Sequence, residues 1–262
     1  MNRITDMSWK EIRSQAESGA LALLATGSAE QHGLHLPVET DSLLVTRVAE
    51  GAVTKLEGEL PIVLAPTLWL GASHHHQQFF ALSVDEQTYI SMVIQLAASF
   101  AKAGFRRLFI LNGHGGNSAP LRVALTRVRE QTPELLAGVA EYWGLGAQAI
   151  RSIRTSQAGG AAHGGELETS LVMHLKEKAV RTDNLNPSLP QLPEGFEIDL
   201  VDRGAVTVTL AVDKLSRRGS VGATDQASAA KGKRFFDDIV EVTAETLLAF
   251  ARLDVAGVRP ES

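Results

Sequence analysis

Short apolar runs alternate with longer amphipathic stretches along this chain, and this alternation constrains its fold more than any other feature. The apolar runs of strand length are residues 20–26, 62–65, 107–111 and 135–142. Continuous apolar runs of this length are typical of strands that are covered on both faces. Helical spacing of apolar residues is found in residues 41–53, 84–103, 117–132 and 167–177. The alternation predicts an α/β fold with right-handed crossovers and a mostly parallel sheet.

The remaining segments carry weaker signals. The polar N-terminal stretch (MNRITDMSWKEIRSQAESG) is predicted to be helical. Residues 184–197 hold three prolines and are predicted to be irregular, whereas residues 205–212 (AVTVTLAV) are predicted to be β-rich. A final helix is predicted over residues 225–253. Because neither an internal repeat nor a low-complexity linker divides the chain, we expect a single domain over residues 1–262.

Composition excludes several classes of protein. The chain of 262 residues has no cysteine, so it forms no disulfide framework, no thiolate zinc site and no cysteine nucleophile. Its formal net charge of −5 provides no general attraction to nucleic acid or to anionic lipid. No apolar run approaches the roughly 20 residues of a membrane span. We therefore expect a cytoplasmic protein that acts on a small molecule and binds neither nucleic acid nor a membrane.

Histidines are concentrated in the connections between predicted strands and helices. Of the eight histidines, only His174 lies inside a predicted helix. The histidines in the connections are His32, His35, His74, His75, His76, His114 and His163. In an open parallel sheet these connections meet at the carboxyl edge of the strands, where ligands bind. We therefore predict a polar site at that edge, although His35, His114 and the run His74–His76 also fit packing or surface positions.

The side chains beside these histidines indicate a metal site. With no cysteine present, imidazole and carboxylate are the strong ligands available, and they suit zinc, manganese or iron. Glu30 and His32 are two residues apart, so on an extended segment both side chains leave the same face. Asp41 opens a predicted helix, where a carboxylate also stabilises the helix dipole without any metal. The same alternative applies to Glu166 and Glu168.

Charge balance favours a centre with two metal ions. Two divalent cations would neutralise the carboxylates of Glu30, Asp41 and Glu166 together with one bridging hydroxide, and a partly buried site tolerates zero net charge best. The neutral imidazoles of His32 and His114 would complete the ligand set. A hydroxide that bridges two metals is a nucleophile at neutral pH, and the metals polarise the carbonyl group that it attacks. These residues thus predict a metal-dependent hydrolase.

Three motifs of the chain resemble the creatininase (creatinine amidohydrolase) family. They are GSAEQHGLHLPVETD at residues 27–41, NGHGGN at residues 112–117 and HGGELETSLVMHL at residues 163–175. The resemblance covers about residues 8–250, and the first motif is long and specific. It implies a three-layer α/β/α sandwich, two divalent metal ions per subunit, hydrolysis of a C–N bond in a small amide, and a homo-oligomer, commonly a homohexamer.

The resemblance also assigns roles to individual residues. The residues that match the family's metal ligands are Glu30, His32, Asp41 and His114. Asp41 matches the ligand that bridges both ions, and His163 matches the histidine that passes a proton to the leaving nitrogen. His76 matches a family histidine near the active site, where it would contact substrate or support a ligand.

Other positions depart from the family pattern. The stretch His114–Asn117 lacks the tyrosine and the metal-binding glutamate of true creatininases, and we predict that Glu166 supplies the missing carboxylate. Residues 159–162 lack the tryptophan and the acidic residues that hold the creatinine ring, so creatinine is not the expected substrate. Glu168 and His35 are expected to support ligands from behind the site or to cap and pack the segments around it.

Several functions fit such a site. The leading prediction is an amidohydrolase that acts on a small amide, cyclic or open. The same two-metal site would also serve a lactone hydrolase, a formamide deformylase or a peptide-trimming enzyme. A nucleotide- or phosphate-binding Rossmann-like module is an alternative of a different class, because NGHGGN lies between a predicted strand and a predicted helix. However, its glycines match neither the dinucleotide-binding nor the phosphate-loop pattern.

Overall fold

Five parallel strands form the central sheet. The computed structural model describes residues 2–208 and 210–254, and within them the strands are β1 (Asn2–Arg3), β2 (Leu21–Thr26), β3 (Ala29–Glu30), β4 (Ile62–Leu64), β5 (Ala81–Leu82), β6 (Arg107–Asn112) and β7 (Leu136–Glu141). The sheet order is β1-β4-β2-β6-β7, and every neighbouring pair is parallel. Strands β3 and β5 form a separate antiparallel ribbon. The predicted parallel sheet is thus confirmed.

Helices occupy the connections between these strands. In the described residues they are α1 (Trp9–Glu17), α2 (Thr40–Lys55), α3 (Glu86–Ala103), α4 (Ser118–Gln131), α5 (Tyr142–Leu145), α6 (Ala147–Ile153), α7 (Glu166–Leu175), α8 (Val212–Leu215) and α9 (Ala229–Ala251). The longer strands and helices predicted from sequence occur here, with ends that differ by a few residues. The predicted N-terminal helix is α1, preceded by the short strand β1. None of the described helices combines the length and the apolar character that a membrane crossing requires.

The prediction of a β-rich segment at residues 205–212 is wrong. The described residues of this segment form no strand, and α8 begins at its last position; Thr209 lies outside the described residues. The physical reason is that its β-branched side chains cover a cavity at the edge of the sheet, and Val206 and Val208 line that cavity. β-Branched residues favour a strand only where a neighbouring strand is available for pairing.

Alternate residues of β2 face two different hydrophobic cores. Leu21, Leu23 and Ala25 pack into a core with α2, α7 and α9. Ala22 and Leu24 pack into a second core with α3 and α4. Because successive side chains of a strand point to opposite faces, one apolar run supplies both cores. The result is the predicted three-layer α/β/α sandwich.

The order of the strands creates a crevice at the carboxyl edge of the sheet. From β2 the chain passes through α2 to β4 on one side, and then through α3 to β6 on the other side of β2. Right-handed crossovers in opposite directions place α2 and α3 on opposite faces. The connections that follow β2 and β6 therefore diverge, and such a switch point is where ligands bind in open α/β sheets.

Candidate metal centre

Four predicted ligands converge at the carboxyl edge of β2 and β6. They are Glu30 at the end of β3, His32 just after it, Asp41 in the first turn of α2 and His114 just after β6. No more than 3% of the surface of any of these residues is exposed. Ionised groups removed from water to this degree require a compensating charge. These four residues were selected from separate segments of the sequence, and the structure brings them together.

Asp41 lies between two histidines. Its Oδ1 is 3.0 Å from Nε2 of His32, and its Oδ2 is 3.0 Å from Nδ1 of His114. Two groups of three residues, each with ligand atoms within 4.8 Å of one another, share this aspartate: Glu30, Asp41 and His114, and His32, Asp41 and Glu168. A carboxylate with one oxygen in each group is placed to bridge two cations.

Backbone carbonyl groups orient the histidine rings of the cluster. The contacts are His32 Nδ1 to Glu30 O (3.1 Å), His114 Nε2 to Ala72 O (3.1 Å) and His163 Nε2 to Gln31 O (2.7 Å). A carbonyl oxygen only accepts, so the ring nitrogen beside it carries the hydrogen. In the neutral ring the other nitrogen keeps a lone pair, and in all three rings it faces a carboxylate of the cluster. This is how second partners orient histidines that bind metals.

Buried carboxylate oxygens in the cluster lack aligned hydrogen bonds. Both side-chain oxygens of Glu30 and the Oδ2 of Asp41 are buried without a hydrogen-bond donor of acceptable geometry. Imidazole nitrogens lie near them, with Nε2 of His76 3.1 Å from Oε1 of Glu30, but do not align. Buried polar atoms are normally paired, so each exception requires an explanation. A bound cation would satisfy these oxygens, and the donor set of the cluster fits one.

The carboxylates make the cluster attractive to positive charge. Burial acts to lower the pKa of His32, but the charge and hydrogen bond of Asp41 outweigh it and raise the pKa to about 10. For His114, burial also acts to lower the pKa, and the neighbouring Glu30 carboxylate reverses the direction and raises it. Protons therefore supply the compensating charge when metal is absent, and metal ions would replace them.

Glu166, the predicted fifth ligand, does not lie at the cluster. Its Oε1 is 2.5 Å from Nζ of Lys231 and accepts from the backbone N–H of Thr155 at 2.9 Å. Its Oε2 accepts from the backbone N–H of Ser156, also at 2.9 Å. Glu166 thus holds the turn after α6 against α9. The prediction of Glu166 as a metal ligand is therefore wrong, because its carboxylate is bound by Lys231 and by two backbone N–H groups away from the cluster.

Glu168 takes the place that was predicted for Glu166. Two residues along an α-helix are separated by about 200° of rotation, so Glu166 and Glu168 face opposite directions. Oε2 of Glu168 accepts from the Gly164 N–H at 2.6 Å and lies 3.9 Å from Nε2 of His32. Burial raises the pKa of Glu168 to about 7. The sequence predicted that Glu168 supports a ligand or caps a helix instead of binding metal itself. In the structure it lies with His32 and Asp41, so it is also a candidate ligand.

His163 and His76 complete the wall of the cluster. Nδ1 of His163 is 3.7 Å from Oε1 of Glu30, and its ring centroid lies 4.2 Å from the rings of both His32 and His76. The amide nitrogen of Gln31 lies 2.8 Å from Nδ1 of His76 and donates to the carbonyl of Gly219 at 3.0 Å. Sequence reasoning missed Gln31, although it lies between two predicted ligands in the first motif.

The other histidines have separate positions. His35 is buried and its Nε2 contacts the Gly164 carbonyl at 3.1 Å and Oγ1 of Thr169 at 2.9 Å, so it fastens the first motif to α7. Burial lowers the pKa of His35 to about 4, which keeps the ring neutral. His75 stacks against His114, with ring centroids 5.7 Å apart, whereas His74 is exposed. His174 contacts Phe236 on α9.

A cavity of about 290 Å³ adjoins the cluster. One wall is formed by cluster residues such as Asp41 and His163. A second part of the lining, which we call the roof, comprises the described residues between 197 and 215, and most of its lining side chains are apolar. Trp143 and Arg203 also line the cavity. Sequence reasoning did not identify either residue, because Trp143 lies within a short helix and Arg203 lies in an irregular segment, and neither belongs to a motif.

Comparisons with known proteins agree with this geometry. Residues 5–247 match the family model Creatininase, described as creatinine amidohydrolase. The mycofactocin precursor peptide peptidase of Mycobacterium ulcerans is 32% identical over 225 residues, which cover 84% of this chain and 81% of that protein. The 3-dehydro-scyllo-inosose hydrolase of Thermotoga maritima is 28% identical over 200 residues, which cover 72% of this chain and 61% of that protein.

Solved structures show the same fold. A creatininase described as a manganese form superposes with a TM-score of 0.79 at 23% identity, covering 95% of this chain and 98% of the other. A mutant creatininase of zinc–zinc type gives the same TM-score of 0.79, with the same coverage of 95% and 98%. At this level of identity the superpositions establish the architecture of the sandwich.

Proposed function

This chain is a hydrolase of the creatininase family, and we propose that it cleaves the C–N bond of a small amide at a centre of two metal ions. The observation that carries the proposal is the position of Asp41, whose two carboxylate oxygens each lie 3.0 Å from a different buried histidine. A single carboxylate between two sets of ligands would hold two metal ions close together, as two-metal hydrolytic sites do.

The residues present fit two divalent cations. Glu30, Asp41 and His114 would hold one ion, and His32, Asp41 and Glu168 would hold the other. With Glu168 in place of Glu166, three carboxylates and one hydroxide still balance two divalent cations. Zinc and manganese both accept imidazole and carboxylate ligands, and both occur in the names of the solved creatininase structures.

The chain's own residues divide the remaining work of amide hydrolysis. When bound, the metal ions would polarise the substrate carbonyl and supply a nucleophilic water at neutral pH. Water is then added across the C–N bond, with the hydroxyl group on the acyl carbon and a proton on the leaving nitrogen. We assign the transfer of that proton to His163. Burial lowers the pKa of His163, and its Nε2–H is held by the Gln31 carbonyl, so the neutral ring presents Nδ1 to the cluster.

The turn at residues 112–117 supports hydrolysis better than nucleotide binding. In a phosphate-binding loop the backbone N–H groups point at the ligand. Here the N–H of His114 donates to Oδ1 of Asn112 at 3.1 Å, and the N–H of Asn117 donates to the carbonyl of His114 at 3.1 Å. The turn therefore uses these groups internally and presents an imidazole. Lactone hydrolysis, deformylation and peptide trimming would use the same centre and differ in the substrate that the cavity admits.

Metal analysis combined with a substrate panel tests this function. The protein, loaded with Zn²⁺ or Mn²⁺ and dialysed, is expected to hold about two ions per subunit by plasma mass spectrometry. It is also expected to hydrolyse at least one member of a panel of formamides, lactams, lactones and short peptides. His163→Ala should slow turnover by about 10²-fold or more, because general acid–base groups contribute at least that much. His174→Ala, a histidine outside the cluster, is the matched control.

Three outcomes would contradict the proposal. They are a protein that retains no metal, a loaded protein that hydrolyses no member of the panel, and a His163→Ala variant that is as active as the parent. The first two would remove the hydrolase centre itself, whereas the third would leave the centre and reassign only the proton transfer.

A further inference from the structure

One cationic side chain faces the cavity beside the metal centre. Among the described residues that line it, Arg203 is the only arginine or lysine. Arg203 belongs to the roof, which lines the cavity together with Asp41 and His114. Its Nη2 is 3.9 Å from the place where a Cβ atom at Gly115 would stand, and beyond Gly115 and its immediate neighbours in the chain no other described atom lies within 4 Å of that point. The guanidinium group thus borders open space next to the turn that presents His114.

The guanidinium group is held in place without being neutralised. Nε of Arg203 donates to the backbone carbonyl of Asp199 at 3.0 Å. The Asp199 carboxylate is engaged elsewhere, since Arg154 and backbone N–H groups such as that of Gly159 donate to it. Within the part of the chain that the structure describes, no salt bridge joins Arg203 to a carboxylate. Its two terminal nitrogens therefore remain available for a ligand, already oriented by the contact at Nε.

We propose that Arg203 and the space beside Gly115 form a subsite for a carboxylate, and that the substrate is an amide that carries one. This inference rests on the proposed amidohydrolase function, and it assigns the substrate class. A guanidinium group binds a carboxylate through two parallel hydrogen bonds, which fixes the orientation of the molecule as well as its position. With the carboxylate on Arg203, a small substrate keeps its amide group within the cavity that the candidate ligands also line.

The charge and the size of the cavity restrict the class of substrate further. Glu197 lines the same cavity, and its negative charge repels a dianionic phosphate more strongly than a singly charged carboxylate, so the carboxylate is favoured. The neighbouring roof residues Leu200, Val206 and Val208 are apolar. The cavity of about 290 Å³ is close to the lower end of small-ligand pockets. The substrate that fits is an N-acyl amino acid, or a short peptide end, with an apolar side chain.

Direct binding of matched ligands tests the subsite apart from catalysis. N-methylsulfonyl-L-leucine carries a carboxylate, N-methylsulfonyl-L-leucinol is its neutral counterpart, and neither contains an amide that can be hydrolysed. By isothermal titration calorimetry on the zinc-loaded protein, the carboxylate is expected to bind about tenfold more tightly than the alcohol, as a charge-assisted pair provides. Arg203→Met should abolish this difference, and Arg203→Lys should retain part of it.

A second arginine of the same region supplies the control. Arg151 donates to Asp202 at 2.7 Å and to the Val201 carbonyl at 2.8 Å, so it also holds the roof, but it does not line the cavity. Arg151→Met is expected to preserve the preference for the carboxylate. Equal affinities for acid and alcohol in the parent protein, or an unchanged preference in Arg203→Met, would overturn the subsite. The phosphonate analogue of the leucine ligand, bound more tightly than the carboxylate, would overturn its assignment to a single charge.

Hydrolysis assays separate this inference from the function on which it rests. The pair for these assays is N-formyl-L-leucine and N-formyl-L-leucinol. Cleavage of both with equal kcat/KM, unaffected by Arg203→Met, would refute the subsite and leave the hydrolase intact. Cleavage of neither, with tight carboxylate binding that depends on Arg203, would refute the hydrolase activity and leave the subsite as a binding site. The expected result is a kcat/KM about tenfold higher for the acid, lost in Arg203→Met.

Discussion

The two walls of the cavity are built in different ways. We call the candidate metal ligands the floor; they are Glu30, His32, Asp41, His114 and Glu168, and all of them except His32 line the cavity. Floor residues stand at the ends of strands or in the first turns of helices, and backbone carbonyls orient their rings. The roof is irregular, apart from the short helix α8 at its end, and side chains such as Arg154 hold it in place. Regular elements thus position the groups that do chemistry, whereas a connecting segment shapes the space for substrate.

The largest effect is expected from a change in the floor. Asp41→Ala removes the carboxylate shared by both ligand groups, so the variant should lose at least one ion per subunit and about 10³-fold or more in kcat/KM. Metal content and kinetics measured on the same sample provide the test. The control is Asp85→Ala, which removes the N-cap of α3 and should cost about 1 kcal/mol of stability. An Asp41→Ala variant that keeps two ions would disprove the bridge.

Substitutions of two glutamates on α7 test which of them belongs to the floor. Glu168→Gln should weaken metal binding by about 100-fold, because it removes a charged ligand atom from the cluster. Glu166→Gln should change metal affinity little, since its partners are Lys231 and two backbone N–H groups. Competition with a fluorescent chelator measures both affinities. The reverse ranking would restore the original assignment of Glu166 as a ligand.

The attachment of the roof depends on a buried ion pair. Asp199→Asn is expected to lower the free energy of unfolding by about 3 kcal/mol at pH 7, because Arg154 would lose a buried partner only 3.0 Å away. Urea denaturation at pH 7 measures this difference. Asp202→Asn, which alters a more exposed partner of Arg154, should cost less than about 1 kcal/mol. Equal losses in the two variants would show that burial of the pair is irrelevant.

The same ion pair also determines how the free energy of unfolding changes with pH. Burial acts to raise the pKa of Asp199, but hydrogen bonds from the Val201 N–H and from Arg154 outweigh it and hold the pKa below its ordinary value. Stability from such a group is fully present above the pKa of the unfolded chain and is lost as pH falls through the folded value. The advantage of the parent over Asp199→Asn should therefore be constant near neutrality and shrink below about pH 4. An advantage that grows on acidification would contradict this sign.

The smallest effect is expected where floor and roof adjoin. Gly115→Leu places a side chain in the open space beside Arg203, so KM for N-formyl-L-leucine should rise about tenfold while metal content stays unchanged. Gly115→Ala, which adds one methyl group 3.9 Å from Nη2 of Arg203, should change KM much less. A Leu variant with parental KM would show that substrate does not occupy this space.

The sequence was sufficient for the floor, apart from one error of orientation. Glu30, His32, Asp41 and His114 were selected because they lie in or beside connections that follow strands of a parallel sheet, and because they match the metal ligands of the family that the chain resembles. The choice between Glu166 and Glu168 failed because α7 is buried on several sides, as Leu167, Thr169 and Leu171 show. A helix without a polar face gives no periodic signal for the direction of one carboxylate.

The roof was not predictable in the same way. Residues 205–212 carry the composition of a strand, but the edge strands of the sheet do not pair with them. Their conformation depends on the cavity beneath and on the anchor at Asp199, whose carboxylate is held by Arg154 and by the Gly159 N–H, two groups distant from it in sequence. For Arg203, neither spacing nor a motif distinguishes a residue that lines a cavity from one on an outer surface.

The backbone carbonyls that hold the rings of His32, His114 and His163 affect how this protein can change over evolutionary time. A main-chain oxygen is present whatever side chain its residue carries, so mutations at Ala72 that spare the local path of the backbone leave the orientation of the His114 ring unchanged. The orientation of these rings therefore depends on the path of the backbone, which evolves more slowly than the side chains. New substrates can be explored by replacing roof residues while the reactive centre is passed on intact.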